Sequence, residues 1–291
     1  MTALRMFITS AVIIVAIVAI NSATAQTDLR DALGFERPSA RSNLRAAFVP
    51  YSTRHQFWLW PKKTITYCFD ASYSQDEQDQ MTKAMRAVEN GVRNCTKFEQ
   101  VACNVTKYKL RITPFEKDNK TAAKYCASWP GIYKAYLADK RKSEQRLVIA
   151  RGDDGCMGTQ HDLMKMFTIS MGRRNEHQRH DRDEHLTVNM SNIQQGAEIA
   201  FRPHPVESFL YICNYDYCSV THNQPSDFAK RGLQMFTVKN APFYIPKTGR
   251  LSGCDCKELT ELYGCPSTTC EFFDCESQPP PPNSIPAGPV S

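Results

Sequence analysis

Twelve cysteines constrain the fold of this 291-residue chain more than any other feature of its sequence. Their number is even, and none of them falls in the first 60 residues. Disulfides form and persist in oxidising compartments, so this pattern indicates a secreted, disulfide-stapled protein. With 42% hydrophobic and 23% charged residues, the chain is also long enough to bury a core of its own.

The N-terminus has the pattern of a signal peptide. An apolar run from Met6 to Ile20 follows a basic residue, and small residues up to Ala25 form a cleavage site. The run is shorter than the roughly 20 residues that span a bilayer, so we expect cleavage and no membrane anchor. The rest of the chain divides into a short propeptide-like leader (26–54), a folded domain (55–265) and a Cys-containing, Pro-rich disordered tail (266–291).

The distribution of charge and the glycosylation motifs bear on the kind of partner and on the cellular route of the protein. The formal net charge is +6, but basic and acidic residues are interleaved, so no nucleic-acid partner is implied. Four sequons would be usable only in a secretory route. They place candidate N-glycosylation sites at Asn94, Asn104, Asn119 and Asn189.

Regular elements are predicted mainly in the first half of the domain. Alternation over residues 64–69 predicts a strand, and YKLRITPF (108–115) and QRLVIAR (145–151) predict two more. Ser74 and Glu77 form a capping box ahead of apolar residues at helical spacing, which predicts an amphipathic helix over residues 74–92. A second helix is predicted from residue 161, and the later half has fewer regular signals.

Spaced motifs give the chain a resemblance to the astacin family of secreted zinc metallopeptidases, over about residues 55–265. The motifs occur in the family's order, and their number makes them specific together. They are WPKKTITY (60–67), NCTKF (94–98), CASWPG (126–131), GC (155–156), RHDRD (179–183), LTVN (186–189), YDYCSVTH (215–222), Phe228 and LSGCDCKELTELYGC (251–265). The resemblance implies a two-lobed, metzincin-like α+β domain, with a twisted sheet and both helices in an upper lobe and a mostly irregular lower lobe.

The zinc-binding motif of the family is degenerate here. The family pattern is HExxHxxGxxHE, and the RHDRD motif downstream places Asn175 at the third histidine. Two registers are open upstream. Without gaps, Lys165 and Ile169 take the places of the first two histidines, whereas a four-residue insertion puts His161 and Lys165 there. The sequence favours the insertion, because it retains His161 and puts Asp162 in place of the glutamate.

Either register leaves too few metal ligands. A catalytic zinc needs three ligands with lone pairs and an open position for water, and a lysine ammonium has no lone pair. Of the seven histidines, no two are four residues apart. Asp162 is shorter than the glutamate that acts as general base, and Thr221 and Asn223 replace the methionine and tyrosine of the family's later SxMHY turn. We therefore expect no zinc cofactor, with His161 as the only residual ligand and Lys165 and Asn175 at lost positions.

The resemblance also implies two disulfides, Cys95 with Cys265 and Cys126 with Cys156. The other eight cysteines allow 105 pairings, so none is assigned. Four further residues keep family positions and are expected to be structural: Glu176, Asp216, Tyr217 and His222. In the family, a terminus freed by proteolysis pairs with the glutamate at position 176, and a second cut after Arg45 would free such a terminus here.

Three functions fit these observations. The first is a secreted, catalytically inactive pseudoprotease that acts by binding or regulating an extracellular protein or peptide. The second is an active zinc endopeptidase with a rebuilt site, using the cluster His177, His180 and His185. The third is a disulfide-rich extracellular structural module.

Overall fold

The computed structural model describes residues 59–132, 143–204, 212–239, 245–266 and 270–272. The predicted signal peptide, the predicted leader, the predicted cut after Arg45 and nearly all of the Pro-rich tail therefore lie outside the described residues. Across the described ranges, no helix combines the length and apolar character that a bilayer-spanning segment needs.

The upper part of the domain is built on a four-stranded parallel sheet. Its strands are β1 (Thr64–Phe69), β2 (Lys97–Gln100), β3 (Lys109–Thr113) and β4 (Glu144–Val148), in the order β2-β1-β3-β4. Strands β1 and β3 are central and nearly continuously buried, as expected where helices or loops cover both faces of a parallel sheet. The three strands predicted from the sequence are confirmed.

The first helix, α1 (Gln75–Gly91), follows β1 and crosses back to β2. Its capping box is formed as predicted, because the Ser74 hydroxyl accepts from the backbone of Glu77 and the Glu77 carboxylate accepts from the backbone of Ser74. The apolar face is fully buried, with no exposed area at Met81, Ala84, Met85 and Val88. This burial fixes α1 against the sheet and against the second helix.

The second helix, α2 (Gln160–Ser170), crosses the core beside α1. Thr159 caps its N-terminus, and its last carbonyls accept from two distant side chains: Trp60 Nε1 donates to Ser170 at 2.8 Å and the Tyr263 hydroxyl to Met171 at 2.7 Å. Gly172 then adopts a φ of 118°, a conformation that favours glycine. The chain therefore turns sharply and carries residue 173 into the interior.

The lower part has a small hydrophobic cluster of its own, separate from the large one around α1 and α2. Its elements are the one-turn helix α3 (Arg182–His185) and the antiparallel pair β5 (Leu186–Val188) and β6 (Phe236–Val238). A last helix, α4 (Gly253–Leu262), packs through Leu259 into the upper cluster. The two clusters and the irregular lower part confirm the predicted two-lobed α+β fold.

Disulfides join these parts. The pairs Cys95–Cys265 and Cys126–Cys156 are formed, with Cα atoms 6.0 and 6.1 Å apart, so both implied pairings are confirmed. Three further pairs, which the sequence leaves unassigned, are Cys68–Cys103, Cys213–Cys254 and Cys256–Cys270. Helix α4 is thus fastened by two neighbouring cysteines to different segments of the chain.

Candidate functional site

A deep cleft of about 1080 Å³ lies beside α2. One wall is the segment around Ala127, which pairs with Val148 at the open side of β4: the two backbones exchange hydrogen bonds of 3.0 and 2.8 Å. The opposite wall comes from the lower part and includes Asn223, Asp227 and Phe228. The cleft therefore has the shape and the position of a binding site between two lobes.

One face of α2 forms the floor of this cleft. Asp162, Lys165, Met166 and Ile169 line it, and their spacing of three and four residues places them on one side of the helix. His161 is not among the described residues that line the cleft. Its side chain is buried and its Nδ1 lies 3.1 Å from the carbonyl oxygen of Thr248, while burial and the charge of Lys165 lower its pKa to about 4.

Lys165 places an ammonium group at the floor of the cleft. Its side chain is 13% exposed, and its Nζ donates to Asn223 Oδ1, lies 3.4 Å from the carbonyl oxygen of His222 and lies 4.0 Å from Asp227 Oδ2. Burial lowers the pKa of Lys165, while the carboxylates of Asp227 and Asp162 act in the opposite direction. Asn223, which stands where the family has a tyrosine, thus holds this ammonium.

Asp162, at the expected position of the general base, is engaged in an ion pair. Lys247 Nζ lies 2.8 and 3.1 Å from its two carboxylate oxygens, and the Thr159 hydroxyl donates to it at 2.7 Å. Burial alone would raise the pKa of Asp162, but these partners outweigh burial and lower it. A carboxylate held in this way is a weak base.

Asn175 and Thr221, at two other altered positions, are built into the floor by hydrogen bonds. Asn175 Nδ2 donates to Gln178 Oε1 at 2.8 Å, and its Oδ1 is buried with no hydrogen-bond partner among the described residues. The Thr221 hydroxyl donates to the carbonyl of Arg174 at 3.0 Å and accepts from the backbone of Glu176 at 3.2 Å. Thr221 therefore fixes the turn that carries Asn175.

The three histidines of the alternative cluster have separate environments. His177 is buried, donates from Nε2 to the carbonyl of Ala200 at 3.0 Å and accepts at Nδ1 from the backbone of Asn223 at 3.3 Å, so both ring nitrogens are used. His180 is exposed. His185 stacks on Tyr215 with ring centroids 4.4 Å apart, and its Nδ1 lies 3.1 Å from the hydroxyl of Tyr217.

His222 is likewise a structural residue. Its Nδ1 lies 2.7 Å from the carbonyl oxygen of Asn223, and its Nε2 lies 2.7 Å from the hydroxyl of Tyr215. A carbonyl can only accept, so Nδ1 carries the proton and Nε2 accepts from the tyrosine. Burial lowers the pKa of His222 to about 3, which keeps this ring neutral.

The residues of the cleft do not fit a catalytic zinc ion. Lys165 offers a positive charge in place of a lone pair, and the lone pair of His177 is already taken by a backbone donor. In the described ranges, no group of three or more His, Cys, Asp or Glu side chains is arranged so that it could hold a metal ion. Lys165 and Asn175 are instead held by hydrogen bonds to the side chains of Asn223 and Gln178.

Directly behind the floor lies a buried cluster of charges centred on Arg173. Its guanidinium lies 2.8 Å from Glu176, 2.7 Å from Glu258 and 3.4 Å from Asp255, and all four side chains are at most 4% exposed. Although burial opposes it, the attraction of these three carboxylates raises the pKa of Arg173. The cluster joins the end of α2 to α4.

The carboxylates of this cluster outnumber its guanidinium groups. Burial and the neighbouring carboxylates raise the pKa of Asp216 to about 7, against hydrogen bonding from Ser252. Burial, with the charges of Glu176 and Asp255, also raises the pKa of Glu258 to about 8, although Arg173 acts in the opposite direction. Both carboxyl groups therefore stay protonated at pH values well above 4, which is about the pKa that carboxyl groups have in an unfolded chain.

We expect the stability of the protein to fall as the pH rises from about 7 to about 8, above the pH values at which His161 and His222, neutral when folded, would take up protons on unfolding and act in the opposite direction. In this range the folded chain binds more protons than the unfolded chain at Asp216 and Glu258, and each such proton contributes a slope of about 1.4 kcal/mol per pH unit. Denaturant unfolding at several pH values would measure it. Asp216→Asn, which mimics the protonated acid, should show a shallower decline, and equal slopes for the two proteins would contradict the assignment.

Comparisons with known proteins agree with this geometry. The family model for Astacin, a family of peptidases, matches residues 52–264. Zinc metalloproteinase nas-8 of Steinernema carpocapsae is 27% identical over 214 residues, which cover 72% of this chain and 45% of that protein. Low choriolytic enzyme of Oryzias latipes is 27% identical over 237 residues, which cover 78% of this chain and 75% of that enzyme.

A solved structure shows the same fold. It is high choriolytic enzyme 1, a hatching enzyme zinc-protease from Oryzias latipes, with a TM-score of 0.56 and 24% identity over 72% of this chain and 96% of that chain. The matches to the nematode proteins nas-8 and nas-13 span less than half of the length of those relatives, 45% and 44%. Because the family model matches most of its length, this chain belongs to the astacin family of peptidases.

Proposed function

We propose that this chain is a secreted member of the astacin family that binds an extracellular peptide or protein segment in its cleft without hydrolysing it. The single observation that carries this proposal is the ammonium of Lys165 on the floor of the cleft, held by Asn223. A positive charge at this place opposes a zinc ion, and without the metal the family's chemistry has no source of an activated water.

The orientation of α2 supports the register without gaps. In that register Lys165, Met166 and Ile169 stand at the first histidine, the glutamate and the second histidine, and all three line the cleft. The register with an insertion, which the sequence favoured, requires His161 as a ligand, yet that ring is buried against Thr248. We therefore prefer the ungapped register, in which none of the three metal positions is a histidine.

The wall of the cleft suits an extended peptide. The backbone N–H and C=O of Ala127 pair with Val148. In an antiparallel ladder, the N–H and C=O groups of the residues on either side point in the opposite direction, away from that partner. Cys126 and Ser128 line the cleft, so a peptide could add to this edge as a further strand. The open cleft favours a binding role over a purely structural module.

We expect the purified protein to contain far less than one zinc ion per chain and to leave peptide libraries uncut. The reason is the set of side chains at the three histidine positions, where Lys165, Ile169 and Asn175 supply an ammonium, an aliphatic group and an amide in place of imidazoles. Elemental analysis of protein refolded or secreted in the presence of zinc measures the zinc content. Digestion of a peptide library with and without a chelator measures the cleavage. Near-stoichiometric zinc together with chelator-sensitive cleavage would defeat the proposal.

Restoring the motif tests the register in the same assay. Lys165→His, Met166→Glu, Ile169→His and Asn175→His together should raise the zinc content, because positions 165 and 169 share one face of α2. The matched variant for the insertion register carries Asp162→Glu, Lys165→His and Asn175→His. We expect this variant to bind zinc weakly. The reverse result would restore the insertion register.

Filling the cleft should weaken peptide binding without unfolding the protein. Gly158 lines the cleft, and no atom lies within 4 Å of the position that a Cβ would take there, so Gly158→Trp places a large side chain in open space. For a peptide selected on the protein from a displayed random library, we expect affinity to fall by about tenfold or more, or about 1.4 kcal/mol. The measurement is a titration with that labelled peptide.

Gly249→Trp is the matched control for this substitution. Gly249 is exposed, lies outside the cleft lining, and its nearest neighbour is Gln160 Nε2 at 3.8 Å from the Cβ position. The control should keep full affinity and the same melting temperature. Equal affinity for both variants would place peptide binding elsewhere on the protein.

A further inference from the structure

Arg173 is a fully buried cation whose position is fixed by the turn after α2. The positive φ of Gly172 directs the side chain of Arg173 into the interior, whereas the neighbouring Arg174 lines the cleft. Arg173 Nη2 donates to Glu176 at 2.8 Å and Nη1 lies 2.7 Å from Glu258. Breaking a buried pair on one side leaves an uncompensated charge, so this arrangement is strongly held.

Glu176 has both carboxylate oxygens occupied. Its Oε2 accepts from Arg173, and its Oε1 accepts from Arg179 at 3.2 Å and from the backbone of Asp216 at 2.9 Å. The side chain of Glu176 has no exposed area. A further cation would have to lose its own hydration and approach two guanidinium groups of like charge.

We propose that Arg173 is the internal cation that pairs with the buried Glu176. The floor of the cleft therefore forms without any chain terminus entering it. The resemblance to astacins implied the opposite, a terminus freed after Arg45 that pairs with Glu176. Here the pairing position is already filled by a side chain from the preceding turn of the chain. Cutting the leader then changes neither the stability of the domain nor the order of the cleft floor.

A site-specific cut in the full chain tests this proposal. Ser42→Ile, Asn43→Glu and Leu44→Gly create the sequence Ile-Glu-Gly-Arg, so factor Xa can cut after Arg45 and free the amine of Ala46. We expect the cut and uncut proteins to melt at the same temperature. A rise of about 4 °C or more on cutting, equivalent to about 1 kcal/mol or more, would overturn the proposal.

The reactivity of the freed amine gives a second and independent readout. In the cut protein, the α-amine of Ala46 should react with an acylating reagent as fast in the native state as in denaturant, because it is not buried against a carboxylate. Peptide mapping by mass spectrometry measures the two rates. Protection of this amine in the native protein, relieved by denaturant, would show that the terminus is paired and would overturn the proposal.

Arg173→Met tests the role of the side chain itself. We expect the melting temperature to fall by about 6 °C or more in both the cut and the uncut protein, because three buried carboxylates lose their common partner. The matched control is Arg151→Met, whose pair with Glu77 is 42% and 21% exposed and should matter little. Equal shifts for the two variants would overturn the proposal, and the comparison of cut with uncut wild type stands even if Arg173→Met does not fold.

Discussion

Asp255→Ala is expected to lower the free energy of unfolding by about 3 to 5 kcal/mol. The Asp255 carboxylate has no exposed area, accepts from the Ser219 hydroxyl and from the backbone of Val220, each at 2.7 Å, and lies 3.4 Å from Arg173 Nε. Alanine would leave these buried donors without a partner and Arg173 with one carboxylate fewer. Denaturant unfolding followed by tryptophan fluorescence measures the change.

Glu77→Ala is the matched control for this change. Glu77 and Asp255 occupy the same position in two capping boxes, at the starts of α1 and α4. Glu77 pairs with Arg151 near the surface, with its side chain 21% exposed, so its loss should cost only about 1 kcal/mol. A similar loss for both variants would mean that the buried charges around Asp255 add nothing to the cap.

Replacing Cys95 and Cys265 together by alanine is expected to lower the free energy of unfolding by about 5 kcal/mol. The two cysteines are 170 residues apart, so their bond restricts the unfolded chain over most of the domain. In the folded protein, the bond ties the turn after α1 to the end of α4. Urea unfolding of the oxidised variant, with its other cysteines paired, measures the loss.

The control is removal of the Cys256–Cys270 bond, which closes a loop of only 14 residues. The same loop-entropy argument gives about 3 kcal/mol for this pair. The larger loss should therefore come from the longer loop. The reverse order would mean that the native-state contacts of each bond, rather than restriction of the unfolded chain, set its contribution.

Local signals and family motifs allowed much of the fold to be predicted. Helix α1 carries its own start signal in Ser74 and Glu77, and its apolar residues repeat at helical spacing, so its bounds were close to those observed. The pairing of Cys95 with Cys265 followed from resemblance alone, since nothing local links residues so far apart. The same resemblance gave Cys126 with Cys156, whereas the pairs Cys68–Cys103, Cys213–Cys254 and Cys256–Cys270 had no such guide.

The site was harder to predict because its decisive contacts are distant in sequence. Arg173 and Arg174 look like an ordinary exposed basic pair, yet the partners of Arg173 on α4 draw it into the core. The register of the altered motif depended on which face of α2 meets the cleft. Matching residue types to the family pattern favoured His161, rather than Lys165, at the position of the first histidine. Only packing against α1 and the residues from the lower part decides that rotation.

The bond between Cys95 and Cys265 also sets an order of events during synthesis. At about 5 to 20 residues per second, Cys95 waits roughly 10 to 30 s for its partner, 170 residues later, whereas Cys68 and Cys103 can join much sooner. In the folded protein Thr96 has no exposed area, so the Asn94-Cys95-Thr96 sequon is no longer an extended, accessible segment. Any sugar on Asn94 must therefore be added within that interval, in competition with the closing of the domain.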